Sequence, residues 1–494
     1  MRSTLPAKTR ARGWGGYDLC LILMIATTLA VKLRLVFTLK IGWDEFFFLA
    51  KVHSYLAGSL TDRLQTFYVH AFTWLPWVSG NEVSQVVAAR LVMFALFLGS
   101  CILSYRLARY FFSRSAALFS VLCYVTFSNI VIHGASFRAD SISSFLFLLA
   151  LYVLVARGDS RGLAVLAGVA LACALLVTIK SVFYLVTVGL VLLVRLVIAE
   201  NRKQDLLQIA IGLLSFVVAL GCLAALHTVS LPPRDAAGTG LALQNISAKV
   251  IVFKESLARF YYLAVAIYEN LVTWVLLLLG FVLVLSQLLS RSCSLPKKHG
   301  LLVPFFAPIL TVAFYRNAFP YYYVFILSPA IVLCGVAMQN VIDGLVGKKP
   351  RLLAFFLYFL AVVIFGRFLL GGAFDAPSNR AQFELIEVVH QTFPDAVPYI
   401  DGCSAISSYP KVGFFMSTWG MEKYLKADQP IMRDLLKTQS PVFLFANVPS
   451  LDLSLPRENS FTAINYALLE EDWQTLRANF IHHWSLIYVA GKDF

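Results

Sequence analysis

The chain has 494 residues, of which 59% are hydrophobic, 14% aromatic and only 14% charged, with a mean hydropathy of +0.76. Soluble domains carry about 25% charged residues, so this composition excludes an ordinary soluble enzyme and predicts a polytopic α-helical membrane protein. The formal charge of +14 would suit nucleic acid in a soluble domain, but much of the Lys and Arg falls in short turns between apolar runs, where it marks cytoplasmic loops and anionic lipid, so no nucleic-acid partner is expected.

Residues Met1 to Gly16 carry Arg2, Lys8, Arg10 and Arg12 ahead of an apolar run from Tyr17 to Leu39. That run is too long for the core of a cleaved signal peptide and lacks a small-residue cleavage site, so it is expected to be a retained first span. Asking for ~20 apolar residues between polar turns predicts about eleven transmembrane helices. They centre near Ile25, Phe97, Val121, Leu149, Val169, Gly189, Phe216, Leu277, Leu310, Ala330 and Phe359. With the N-terminus inside, the turns holding Arg106 to Arg114, Arg157 to Arg161, Arg195 to Lys203, Arg291 to Lys298 and Lys348 to Arg351 are all cytoplasmic, as the positive-inside rule requires. Four segments then face the other side: Lys40 to Val83, the turn from His133 to Asp140, Pro232 to Arg259, and everything after Gly371.

Two adjacent carboxylates open the first outer loop, in Gly42-Trp43-Asp44-Glu45-Phe46. An anion at a membrane boundary costs several kcal/mol unless it meets a cation, a metal or a proton-donating substrate, which makes Asp44 and Glu45 the leading site; the plain alternative is that they head a surface helix. The outer loop 40–83 continues with a helical apolar face from Phe46 to Ala57 and with Phe67, Tyr68, Phe72, Trp74 and Trp77, which suit a headgroup-level aromatic belt. The outer loop 229–262 opens with Pro232-Pro233 and Gly238 to Gly240, then turns amphipathic from Leu243 to Leu257, as a mobile lid or a passive interfacial helix would.

The transmembrane part is assigned to residues 1–371 and a soluble α/β domain to residues 372–494. In the latter, strand-like runs Ala396 to Asp401, Pro441 to Val448 and Trp484 to Ala490 alternate with helical patterns Asn379 to Thr392, Pro430 to Thr438 and Leu468 to Asn479. It has no glycine-rich phosphate loop, nucleophile elbow or repeat, and no chemistry is placed there. Of the eight cysteines only Cys403 falls in this region, so no disulfide framework is expected within it, and no spacing suits zinc.

A site built from the outer segments would draw on Asp44, Glu45, Arg63, His70, His133, Arg138, Asp140, Lys180, Arg259 and Arg316. Carboxylates and cations at one membrane depth suit a reaction on a lipid-linked phosphate, with cations on the phosphate and a carboxylate taking a proton from an incoming hydroxyl or amine. Each has a plain alternative. Arg138 and Asp140 could pair only with each other, Lys180 and Arg316 could snorkel, Arg259 could anchor an interfacial helix, and the histidines could be structural.

The order of motifs resembles the GT-C membrane glycosyltransferases. It comprises Asp44-Glu45 after the first span, Ser79-Gly80-Asn81-Glu82 leading to Ala88-Ala89-Arg90-Leu91, Phe137-Arg138-Ala139-Asp140, Val177-Thr178-Ile179-Lys180-Ser181, and Pro320-Tyr321-Tyr322-Tyr323-Val324. The branch it resembles is the superfamily of dolichyl-phosphate-mannose protein mannosyltransferases and aminoarabinose lipid A transferases (ArnT-like), over about residues 15 to 370. The resemblance implies an inverting transferase that takes a sugar from a polyprenyl-phosphate donor without requiring a cofactor, a divalent metal being allowed but not indicated. It implies catalytic roles for Asp44, with Glu45 as its companion, and for Asp140, with Arg138 beside it, and it places Lys180 on the family's Thr-Lys position; Arg63, Tyr68, Arg259, Arg316 and Tyr322 are added as expected donor contacts from the residues themselves. Relatives carry a Lys-Pro-Pro or His-Pro-Pro segment in the first loop; here the stretch reads Arg63-Leu64-Gln65-Thr66-Phe67-Tyr68, and Arg63 is expected to supply that charge.

The expected function is transfer to lipid A or lipopolysaccharide, a polysaccharide or another envelope lipid, in the bacterial inner membrane with the site and C-terminus periplasmic. The alternatives are a protein O-mannosyltransferase, a flippase of lipid-linked saccharide and a non-catalytic envelope scaffold. A flippase predicts charged residues inside spans or paired broken helices, which the largely clean apolar runs do not display.

Overall fold

The computed structural model describes residues 15–156, 160–233, 260–289, 297–315, 317–345, 349–456 and 467–491. Its helices are α1 (Gly15–Thr38), α2 (Trp43–Leu56), α3 (Glu82–Phe111), α4 (Arg114–Thr126), α5 (Ser128–His133), α6 (Ala139–Ala156), α7 (Arg161–Val177), α8 (Val182–Ile198), α9 (Arg202–Val229), α10 (Phe260–Glu269), α11 (Leu271–Leu289), α12 (Tyr322–Ala330), α13 (Val332–Leu345), α14 (Pro350–Leu370), α15 (Arg380–Thr392), α16 (Thr418–Ala427), α17 (Met432–Gln439) and α18 (Glu470–Asn479). Contacts divide the chain into two compact units. The first is Met1–Phe37, Thr61–Tyr68 and Arg90–Ala376; the second is Thr38–Leu60, Val69–Ala89 and Pro377–Phe494. The second therefore combines the tail with most of the segment between α1 and α3.

Among the described residues eight helical stretches are long and apolar enough to cross a membrane: Gly15–Thr38, Glu82–Phe111, Ala139–Ala156, Ile179–Ile198, Arg202–Val229, Leu271–Leu289, Tyr322–Leu345 and Arg351–Leu370. The remaining three expected runs fall on the shorter helical stretches Arg114–Thr126, Arg161–Val177 and Lys298–Ala313. A 13-residue helix such as α4 rises about 20 Å, short of a ~30 Å hydrocarbon layer. Its residues from Ser115 to Thr126 are nearly all buried, so its apolarity serves the interior. By contrast α9 and α14 expose Leu213, Leu214, Val217, Phe355 and Val362 outward, which is the surface a lipid solvent requires.

Within the first unit the core is a continuous cluster around Tyr124, Phe127, Phe147, Tyr184, Tyr323 and Phe325. The Tyr184 ring stacks between Phe147 and Phe325, each at 3.7 Å between centroids, and its hydroxyl donates to the Phe325 carbonyl at 2.7 Å. Hydroxyl pairs reinforce this layer: Ser143 to Ser181 at 2.7 Å and Ser144 to Tyr184 at 3.1 Å. Such pairs satisfy polar groups inside an apolar environment and fix α6 against α8 one turn from Asp140.

In the second unit a five-stranded sheet runs in the order β2–β1–β3–β5–β4, with β1 (Tyr399–Asp401), β2 (Lys411–Val412), β3 (Phe443–Phe445), β4 (Phe480–Trp484) and β5 (Ile487–Ala490). Strand β1 pairs parallel with β2 and β3, while β5 is antiparallel to β3 and β4. The expected α/β alternation is present, with one refinement: the run expected from Trp484 to Ala490 divides where β4 ends at Trp484 and β5 begins at Ile487.

Close helix contact in the first unit depends on Gly280 of α11, where a Cβ would lie 2.0 Å from the Leu333 carbonyl oxygen of α13. Gly280→Ala is expected to cost about 1–3 kcal/mol through overpacking. Gly189→Ala, where a Cβ meets nothing within 4 Å, should be neutral or slightly stabilising. Thermal unfolding of both variants in nanodiscs measures the difference.

Candidate active site

Asp140 is the second residue of α6, after the turn Gly134 to Arg138, and the Ser141 hydroxyl closes that turn by donating to the Gly134 carbonyl at 3.1 Å. The Asp140 carboxylate, 2% exposed, receives the Lys180 ammonium at 2.5 Å on one oxygen and the Arg138 Nε at 3.5 Å on the other. Lys180 lies in a single 3-10 turn, Ile179–Ser181, between α7 and α8, anchored by the Ser181 hydroxyl donating to the Ala174 carbonyl at 2.7 Å. Its side chain is only 12% exposed, so it points into an ion pair and does not snorkel. The local Arg138–Asp140 pair exists, but the shorter contact comes from Lys180, forty positions later in the chain.

The Arg138 guanidinium lies over the Tyr321 ring at 3.4 Å from its centroid, and the Lys180 ammonium lies 5.1 Å from the same ring. Tyr321, not Tyr322, is therefore the aromatic platform. Tyr322 is fully buried and its hydroxyl bonds Thr311 at 2.6 Å, although its ring is 5.9 Å from Lys180. Sequence alone could not choose among three consecutive tyrosines, because the choice depends on helix rotation.

The segment 61–68 joins the same unit. Gln65, at φ +62°, accepts from the Thr178 hydroxyl at 3.4 Å, next to the Lys180 turn. Thr66 bonds the Asp62 carbonyl at 2.6 Å and His227 of α9 at 3.0 Å. Tyr68 meets Phe137 edge-on at 6.2 Å, and burial raises its phenol pKa. Arg63 has a buried Nε with no hydrogen-bond partner among the described residues. A buried guanidinium N–H without an acceptor costs about 1–3 kcal/mol, a debt that an incoming phosphate oxygen would relieve. Thus Arg63, Tyr68, Arg138, Asp140 and Lys180 fall in one unit, with Thr66 and His227 as tertiary partners that sequence reasoning missed. Arg259, Arg316 and residues 234–259 of the candidate lid lie outside the described residues. His133 packs edge-on to Tyr321 at 6.4 Å.

In the second unit Asp44 and Glu45 occupy the first turn of α2, which starts at Trp43. Glu45 is 3% exposed and its carboxylate accepts the Gly42 N–H at 2.9 Å, the helix-start role weighed for the pair. Asp44 is half-buried. His70 packs edge-on to Tyr55 at 4.9 Å, and burial lowers its pKa. The unit also holds an unexpected node: Glu82, fully buried at the head of α3, accepts from the Ser408 N–H at 3.1 Å, the Ser408 hydroxyl at 2.6 Å and His390 Nε2 at 2.9 Å. Among the described residues no group of three His, Cys, Asp or Glu side chains is arranged to hold a metal.

No protein-family model matches the chain, and no curated protein matches it in sequence. Solved structures match it in shape. ArnT from Cupriavidus metallidurans, bound to undecaprenyl phosphate, has a TM-score of 0.59 at 17% identity, over 88% of this chain and 93% of that one. The archaeal oligosaccharyltransferase AglB from Archaeoglobus fulgidus, in complex with an inhibitory peptide and a dolichol-phosphate, has a TM-score of 0.57 at 12% identity, over 86% of this chain and 69% of that one. The chain thus has the fold of GT-C membrane glycosyltransferases, as the sequence resemblance implied.

The Glu82 hydrogen bond, then the nearby Glu82 and Glu387 charges, raise the His390 pKa above 6.5 against the opposing effect of burial. A raised folded-state value means the pair stabilises fully below about pH 6.5, the unfolded value, and the contribution fades as pH rises through the folded one. The melting-temperature difference between wild type and His390→Gln should therefore be larger at pH 6 than at pH 9.

Proposed function

We propose that the chain is an inverting glycosyltransferase that moves a sugar from a polyprenyl-phosphate donor to an envelope acceptor, a lipid A or lipopolysaccharide, a polysaccharide or another lipid, on the periplasmic face of a bacterial inner membrane. One observation carries the reading: Arg63, Arg138 and Lys180 are held in one unit of a GT-C fold, with an Arg63 N–H that has no acceptor among the described residues. The similar ArnT structure holds undecaprenyl phosphate and the AglB structure a dolichol-phosphate, which supports a lipid phosphate as the donor's head.

Roles follow from chemistry. Arg63, Arg138 and Lys180 bind the donor phosphate; at an effective dielectric near 20 each cation about 4 Å away contributes on the order of 4 kcal/mol before desolvation. Asp140, with an oxygen engaged by each cation, is a carboxylate that aims them at the phosphate. Asp44 takes the proton from the acceptor hydroxyl or amine, whose lone pair attacks the anomeric carbon. The anomeric C–O bond to phosphate breaks on the opposite face, and the electron pair leaves with the polyprenyl phosphate, so the configuration inverts. Tyr68 is assigned to the donor headgroup, and Arg259 and Arg316 are further phosphate candidates from the sequence. No cofactor or metal has a role in this scheme.

Transport of a lipid-linked saccharide is the second reading, and Lys32 inside α1 is the observation on its side, since a charge within a span often marks a transport path. Yet its ammonium donates to the Ile130 carbonyl, to the Val131 carbonyl at 2.9 Å, and lies 4.5 Å from the Phe97 ring, the environment of a structural anchor. A protein O-mannosyltransferase would differ from the main reading only in its acceptor.

The test is reconstitution in liposomes with a panel of undecaprenyl-phosphate-linked hexoses and pentoses and extracted envelope lipid as acceptor, product being read by mass spectrometry. Asp44→Asn should lower turnover at least about 100-fold, within the span of general-base effects, while still binding undecaprenyl phosphate. Arg63→Ala should weaken that binding about 10- to 100-fold. Turnover should survive EDTA. Full turnover in Asp44→Asn would remove the enzyme reading, and unchanged binding in Arg63→Ala would remove Arg63 from the donor site.

A further inference from the structure

The approach to Asp44 is built by the tail. Residues 38–41, immediately before Gly42, form a short antiparallel ribbon with residues 377–379: Asn379 N–H donates to the Thr38 carbonyl at 2.9 Å, Lys40 N–H to the Pro377 carbonyl at 2.7 Å, and Leu39 bridges Ser378. Gln382, in the first turn of α15, then grips the backbone of Ile41 with both ends of its amide. Its Oε1 accepts the Ile41 N–H at 2.7 Å and its Nε2 donates to the Ile41 carbonyl at 3.0 Å. Gly42, one residue on, accepts the Glu45 N–H at 2.9 Å and donates its own N–H to the Glu45 carboxylate, so the first turn of α2 starts where Gln382 places it.

The rest of α2 is held by the same unit. Trp43 and Phe47 pack on Phe415 at 6.1 and 4.6 Å, Ser407 donates to the Phe46 carbonyl at 3.4 Å, and His53 bonds Gln85 at 2.8 Å. The loop that carries Ser407 and Ser408 takes its shape from Asp401 at the end of β1. That buried carboxylate accepts the Ser404 and Ala405 N–H groups at 2.9 and 2.7 Å, the Asn447 side chain at 3.0 Å, and pairs with Lys411 at 3.1 Å. Ser408 in turn meets Glu82 at the head of α3. The end of an inner strand, one ordered loop and one glutamine thus determine where Asp44 sits.

We propose that Gln382 is a positioning residue for acceptor activation: its two-ended grip on Ile41 sets the first turn of α2 and so the place of the Asp44 carboxylate, making the α/β tail part of the catalytic apparatus and not a docking appendage. The inference rests on the reading of Asp44 as the acceptor-activating base. A single residue gripped at both its N–H and its C=O loses two hydrogen bonds together, so local opening becomes the route by which the first turn frays.

The experiment uses the full chain in nanodiscs and compares Gln382→Ala and Gln382→Glu with wild type. Hydrogen exchange at the Glu45 and Phe46 amides, which Gln382 does not touch, should quicken about tenfold in Gln382→Ala, and less in Gln382→Glu, which keeps the acceptor for Ile41 N–H. Undecaprenyl phosphate affinity should stay within twofold of wild type, while turnover in the liposome assay falls about tenfold or more and is partly restored in Gln382→Glu. Unchanged exchange at Glu45 and Phe46 in a folded Gln382→Ala protein would overturn the proposal, whatever the activity. Turnover lost in Asp44→Asn but kept in a Gln382→Ala protein whose first turn has loosened would overturn it alone, whereas turnover kept in Asp44→Asn would overturn the reading beneath it. If Gln382→Ala fails to fold, Gln382→Glu carries the same comparisons.

Discussion

A single carboxylate between two cations organises the first unit. Asp140 engages Lys180 on one oxygen and Arg138 on the other, in a setting where all three side chains are largely removed from solvent. Ions in that setting persist only when each finds a partner, because the effective desolvation penalty runs to several kcal/mol per ion. The surrounding structure is arranged to hold the three groups still. Serine pairs fix α6 to α8, a carbonyl anchors the Lys180 turn, and the Tyr321 ring supports the guanidinium from below. The result is a pair of cations held on one carboxylate by the side chains packed around them.

The second unit solves a different problem, the placing of a helix that begins at the edge of an apolar span. Helix α2 has no length of its own to be stable in isolation, since helices below roughly 12–15 residues are marginal in water. It is therefore stabilised by packing and by backbone bonds from the tail. The buried Glu82 has the same logic as Asp140: a carboxylate that would be costly alone becomes a fastening when a histidine, a hydroxyl and an N–H converge on it. That most of the segment between α1 and α3 forms one compact unit with the tail follows from these bonds.

Much of the membrane fold was legible from one dimension. Apolar length and basic turns are read directly, because lipid demands about 20 apolar residues for each crossing. The exceptions are instructive. Helix α4 is shorter than a full crossing and buries nearly all of its residues, and hydropathy cannot distinguish a protein interior from lipid. Arg138, Asp140 and Lys180 were nameable as candidates, yet residues 140 and 180 meet only because α6, α7 and the turn after it fold back on one another.

What the amino-acid sequence determined by itself was local and periodic: the long apolar helices, the α/β alternation of the tail, the acidic start of α2 and the identity of the candidate charged residues. These depend on neighbours along the chain, so a reader of the chain can recover them. Only the tertiary structure decided which tyrosine supports Arg138, that Gln382 grips the residue before Gly42, and that Glu82 is buried against His390 and Ser408. Each of those is a pairing between residues far apart in sequence, fixed by helix rotation and loop shape, and carries no mark in the spacing of the residues that make it.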